Sequence, residues 1–226
     1  MKLSFVPLIV ALLPFGAIHV SYLIAASHGH VPWCMPYIDA CTAISATGRQ
    51  MPESLVFRAT IIPSGALMMV YWVLVSAWLA TLLDRMTVLR RTMLGFGLIA
   101  SFGLIIYATV LGEIGDAFAL QRRIGVRLFF GFTVLAQLLM AIQVNVAARD
   151  NPELELAGSA RLLVVTSGLP FLLGILSLFM WAFYAGFDDI EHAFAWWVTL
   201  LVLLNPLIVF AIWRRLGFEA RFQAPA

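Results

Sequence analysis

Apolar residues in this chain fall into six long runs, at about 4–27, 55–83, 92–112, 124–147, 162–183 and 190–213. Each run reaches the roughly 20 residues that a helix needs to cross a bilayer. None carries the ten-residue alternation of a membrane β-strand, and in lipid only helices and closed barrels satisfy their own backbone groups. The pattern predicts an all-α membrane protein, a six-transmembrane-helix bundle. Little chain is left between the runs, so residues 1–226 read as a single transmembrane domain with one substantial connection, the first loop at 28–54.

Composition sharpens this picture. The chain is 62% hydrophobic and 12% charged, with a mean hydropathy of +0.97, whereas a soluble domain carries about 25% charged residues. The first run opens on Met1-Lys2 and ends near Ala25-Ala26-Ser27, in the manner of a signal peptide. Its apolar stretch exceeds the usual core of about 7–15 residues, and Pro7, Pro14 and His19 lie inside it, so it reads as a retained helix.

Charge sets an expected orientation. Alternate connections hold nine Lys and Arg on one side (Lys2, Arg85, Arg90, Arg91, Arg149, Arg161, Arg214, Arg215, Arg221) and five on the other (Arg49, Arg58, Arg122, Arg123, Arg127). The richer side is expected in the cytoplasm, together with both termini. The first loop is then extracytoplasmic. Cys34 and Cys41 both lie in it, where a disulfide is chemically permitted; a small staple and two buried thiols are the alternatives.

Polar chemistry concentrates on that same side. Residues 44–58 read ISATGRQMPESLVFR and bring Ser45, Arg49, Glu53 and Arg58 together between two apolar runs. Gly48 and Pro52 punctuate the backbone, and Pro52-Glu53-Ser54 suits a helix start with an acid at the positive end of the dipole. Polar groups held beside a bilayer each need a partner or water, so an ordered polar loop is a candidate functional surface. Arg58, a few residues inside the second run, calls for an anion: a carboxylate such as Glu113 or Glu53, or a lipid phosphate.

Three other clusters carry chemistry. At the opening of the last run, Asp188 stands four residues and Asp189 three residues before His192, spacings that suit either a carboxylate-oriented imidazole base or plain capping. Glu113 and Asp116 precede Arg122, Arg123 and Arg127, with ion pairing across a turn as the default and Arg127 expected to point inward. Gln137, Gln143 and Asn145 suit interhelical hydrogen bonds. Trp33, Trp181, Trp196, Trp197 and Trp213 fall where an interfacial aromatic belt is expected. No HExxH, GxSxG, P-loop or GxGxxG occurs in the sequence, no ligand spacing specifies a metal, and nothing calls for a cofactor or nucleic acid.

The first loop resembles that of the Frag/DRAM/Sfk family of six-helix membrane proteins. Cys34, Pro36, Ile44-Ser45, Gly48, Pro52 and Phe57-Arg58 carry the resemblance, with Glu113 and the Glu191…Trp196-Trp197 stretch approximating features before helix four and at helix six. The Phe-Arg ending is more similar to the branch that remodels the lipid of GPI anchors. Ala46 stands where the DRAM branch has Asp, and Arg122 and Arg123 occupy the region where a histidine is often found.

The resemblance implies an integral membrane protein that binds or remodels a lipid at an extracytoplasmic pocket. Arg58, Arg49, Ser45, Glu53, Glu113 and Arg127 are the candidate ligand-binding residues. If the protein is a lipid acyltransferase or hydrolase, His192 with Asp188 or Asp189 is the candidate base. The alternative is a non-catalytic scaffold or regulator of a partner membrane protein.

Overall fold

The computed structural model describes residues 3–83, 85–184, 186–187 and 190–218. It contains α1 (Phe5–Ser27), a single-turn α2 (Pro36–Asp39), α3 (Glu53–Leu82), α4 (Thr87–Thr109), α5 (Asp116–Asp150), α6 (Ala157–Phe183) and α7 (Glu191–Leu216). All but α2 are long and apolar enough to cross a membrane. The protein is an all-α bundle of the integral membrane class.

The six long helices form a ring. α3, α4, α5, α6 and α7 each pack on their sequence neighbour, and α1 closes the circuit between α3 and α7. α6 is the least buried; Leu172, Phe179, Trp181 and Phe183 on it stand exposed. A bilayer, unlike water, makes such apolar exposure costless.

Two apolar clusters fill the ring. At the end away from the first loop, Tyr71, Trp72, Trp78, Met93, Met140 and Trp213 pack together. At the loop end the cluster is built from Tyr22, Phe57, Tyr107, Leu111 and Trp196. Gly97 makes the first cluster fit: a Cβ there would stand 2.3 Å from the Trp72 ring. Gly103 is likewise in close contact with α5, whereas Gly95, Gly168 and Gly174 face open space.

Helix ends depart from the hydropathy boundaries. α5 begins at Asp116, two turns before the apolar run, and spans 35 residues, about 52 Å. A helix can continue past the hydrocarbon layer, so Arg122 and Arg123 ride on an established helix rather than in a turn. α4 likewise starts at Thr87 and α6 at Ala157. α3 begins at Glu53 as expected, with Pro52 just before it as the cap residue.

Two tryptophans expected in an interfacial belt are core residues. Trp196 is 1% exposed and Trp213 is fully buried, while Trp33, Trp181 and Trp197 remain exposed.

Candidate functional site

The first loop is fastened to the bundle by side chains from three helices. The Tyr22 hydroxyl of α1 accepts a hydrogen bond from the Cys34 amide at 2.9 Å and donates to the Cys34 carbonyl at 2.7 Å. From α7, the Trp196 indole donates to the Thr42 carbonyl at 2.9 Å and the Trp197 indole to the Tyr37 carbonyl at 3.0 Å. Burial of Trp196 thus satisfies its own N–H and a loop carbonyl together, which neither could do alone in an apolar setting. His19 Nδ1 lies 2.7 Å from the Phe15 carbonyl and must carry the proton, so its Nε2 accepts from the Tyr37 hydroxyl at 3.0 Å. Cys34 and Cys41 form a disulfide across this segment.

Glu53 is wholly buried, and its Oε1 accepts from His30 Nδ1 at 2.7 Å. This contact joins the start of α3 to the first loop, three residues past the end of α1. Glu53 therefore serves His30 and not Arg58.

Arg58 closes the end of α4. Its Nη2 lies 2.9 Å from Glu113 Oε1, and its Nε and Nη2 both donate to the Leu111 carbonyl. Arg122 adds bonds to the carbonyls of Glu113, at 2.7 Å, and Val110, at 3.4 Å. Cations at a helix C-terminus satisfy orphan carbonyls and meet the negative end of the dipole. Just beyond, Gly112 has φ of +89°, and a Cβ there would lie 2.5 Å from the Arg49 carbonyl. That close approach seats the first loop, and Arg49 with it, against the α4–α5 turn.

These contacts surround the mouth of a cavity of about 400 Å³ in the middle of the ring. Ser45 and Arg49 of the first loop and Arg122 and Arg123 of α5 line it at the loop end. Arg49 and Arg123 are exposed, and Arg122 half-buried. Arg49 Nη2 donates to Ser45 Oγ at 3.1 Å, and Arg123 makes no hydrogen bond or ion pair among the described residues. Glu113 and Asp116 border a shallower recess beside the mouth, which shares Arg49 and Arg122. Below the mouth the walls are mostly apolar, with Ile18, Ile61, Met68, Leu104, Phe129 and Val202 among them, and Ser64, Tyr107 and Thr199 add polar groups. Tyr71, Trp72 and Gln137 lie deepest along the helices that carry them.

The floor has a local cause. Pro206 interrupts α7 and has no N–H, so the Val202 carbonyl, four residues earlier, loses its helical donor. Gln137 Nε2 of α5 supplies it at 2.9 Å. Gln137 Oε1 then has no partner among the described residues, and neither does the Trp72 indole N–H.

The residues expected from sequence thus separate. Ser45 and Arg49 line the cavity, Glu113 borders the adjacent recess, and Arg58 supports the mouth from behind by holding α4. Arg127, expected to point inward, is exposed and lines neither recess; one turn earlier, Arg122 and Arg123 take that place. His192 sits half-buried at the start of α7 with Nδ1 3.6 Å from Glu191 Oε1, and it is not part of the lining. Its expected partners Asp188 and Asp189 lie outside the described residues. The interhelical hydrogen bond expected of Gln137 is present, with Val202 as its acceptor; the His30–Glu53 pair was not anticipated. A proline four residues after a carbonyl on an apolar helix was the available signal for the floor.

Arginines of the first loop and of α5 thus converge on one end of a mostly apolar cavity within a bundle of membrane-spanning helices. The chain belongs to the family described as the Frag1/DRAM/Sfk1/Cwh43P N-terminal domain, whose model matches residues 2–211. That family is associated broadly with membrane lipid-related functions. Comparison with curated proteins and with solved structures gave no match.

Proposed function

We propose that this protein binds a membrane lipid in the central cavity, with an anionic headgroup at Arg49, Arg122 and Arg123 and one acyl chain running down the shaft. The observation that carries this reading is three arginines at the mouth of a cavity whose lining is mostly apolar. Guanidinium groups recognise phosphate and carboxylate oxygens through paired N–H donors. At about 30 Å³ per water-sized group, the volume accommodates roughly a dozen such groups, which suits one chain rather than two. The mouth faces away from the cytoplasm, in keeping with the nine-to-five distribution of basic residues. The Phe57-Arg58 ending supports the GPI-lipid-remodelling branch as the nearer analogue.

Binding, rather than acyl transfer by His192, is what the cavity supports. Ser45 Oγ is occupied by Arg49, and His192 lies off the lining. Mass spectrometry of the gently purified chain tests this. The wild type should carry stoichiometric anionic lipid, and the Arg49→Ala/Arg122→Ala/Arg123→Ala variant should lose most of it. A wild type free of lipid, or a variant with undiminished lipid, refutes the reading.

A further inference from the structure

We infer that lipid reaches the cavity sideways, through a passage between the loop-end halves of α5 and α7, and that the part of α6 beyond Pro170 is the gate over that passage. The inference rests on the lipid-binding reading and adds to it the route by which the ligand enters. α6 stands between α5 and α7 in the ring, yet none of its residues lines the cavity. The lining on that side comes from its two neighbours: Val126, Phe129 and Phe130 on α5, and Ala195, Thr199 and Leu203 on α7.

The two halves of α6 are held differently. Ala160, Leu163, Ser167 and Pro170 are buried, and none of residues 171–183 is. In the first half, Asn205 Nδ2 of α7 donates to Ser167 Oγ at 2.8 Å. In the second half, no side-chain hydrogen bond to another helix occurs among the described residues; Ser177 Oγ donates only to the Gly174 carbonyl of α6 itself, at 2.8 Å. Gly174 and Val198 lie two turns nearer the loop end than Ser167 and Asn205, on the faces that those residues present to each other. A Cβ at Gly174 would nonetheless meet nothing within 4 Å, so nothing packs closely on that face of α6.

Pro170 stands at the junction of the two halves. It has no N–H, so the Thr166 carbonyl loses its helical donor and the helix bends readily there. α6 and α7 run antiparallel, which sets Pro170, three residues past Ser167, level with Val202, three residues before Asn205. Val202 is where Gln137 ties α5 to α7. Nearer the loop end, no hydrogen bond joins α5 to α7 among the described residues, and only the free half of α6 lies between them. A helical segment with so little buried surface and no interhelical bond opens at low cost. The cavity also has room for a single chain, so the second chain of a diacyl lipid lies outside it, which an open side permits. The headgroup then stays at the membrane surface throughout and reaches Arg123, exposed at the mouth.

Exchange of radiolabelled phosphatidylglycerol on the purified full-length chain tests this. Gly174→Cys/Val198→Cys is bridged with a short bis-maleimide, and the same variant capped with N-ethylmaleimide is the reference; Cys34 and Cys41 are bonded to each other and do not react. The bridge should slow both uptake and release by about tenfold or more, as a blocked lid does. Pro170→Ala, which restores the N–H to the Thr166 carbonyl, should slow both roughly fivefold, the return on one hydrogen bond, with the amount bound at equilibrium unchanged. Rates unmoved by the bridge, or a Pro170→Ala chain that exchanges as fast as the wild type, overturn the gate while leaving lipid binding intact. A wild type that binds no phosphatidylglycerol overturns both.

Discussion

The bond from Gln137 to the Val202 carbonyl yields the sharpest energetic test of this fold. Gln137→Leu removes the only donor that reaches that carbonyl from among the described residues, because Pro206 cannot provide one. Leaving a buried acceptor unpaired costs about 1–3 kcal/mol, and interhelical hydrogen bonds in membrane proteins fall at about 0.6–2 kcal/mol. A loss of about 1–2 kcal/mol is expected. Leucine also removes the unpartnered Oε1, which offsets part of that loss. A double-mutant cycle cancels this term, since it enters in both backgrounds. In Pro206→Ala, the new N–H at 206 restores the helical bond to Val202, and Gln137→Leu should then cost under about 0.5 kcal/mol. Reversible unfolding in mixed detergent micelles, followed by tryptophan fluorescence, measures all four proteins. An equal cost of Gln137→Leu in both backgrounds refutes the claim that glutamine compensates for proline.

Three further outcomes are expected. Cys34→Ser/Cys41→Ser removes a link between residues seven apart, which should cost about 2.5 kcal/mol of chain-entropy stabilisation, read as faster proteolysis of the first loop; unchanged cleavage removes that role. Glu53→Ala leaves His30 without its acceptor and should cost about 1–3 kcal/mol, while Glu53→Gln, which keeps an acceptor oxygen, should cost less; the reverse order in denaturation midpoints contradicts the contact. Burial pushes the Tyr37 phenol above its ordinary value of 10.0, so its stabilising neutral form is complete below a pH of about 10 and is lost as pH rises through the folded value. Ultraviolet titration of the wild type against Tyr37→Phe should isolate that late phenol, and titration at or below the ordinary value would contradict its burial.

Hydropathy alone determined the class of this protein. Six runs of sufficient length leave a chain in lipid no option but helices, and the structure places helices on all six. The Arg58–Glu113 pair and the start of α3 at Glu53 were also legible, because local chemistry dictates both: a cation near apolar chain needs an anion, and an acid suits a helix N-terminus. What only the tertiary structure decided was which face each helix presents. Rotation about a helix axis is set by packing, and an all-apolar run contains almost no periodicity from which to read it. Arg127 and Arg123 differ by one turn, yet only Arg123 reaches the cavity mouth. His30 found Glu53 across 23 residues, and Gln137 found an orphan carbonyl on a helix 65 residues away. Those meetings depend on how the ring of helices closes, which is a property of the assembled bundle and of no segment within it.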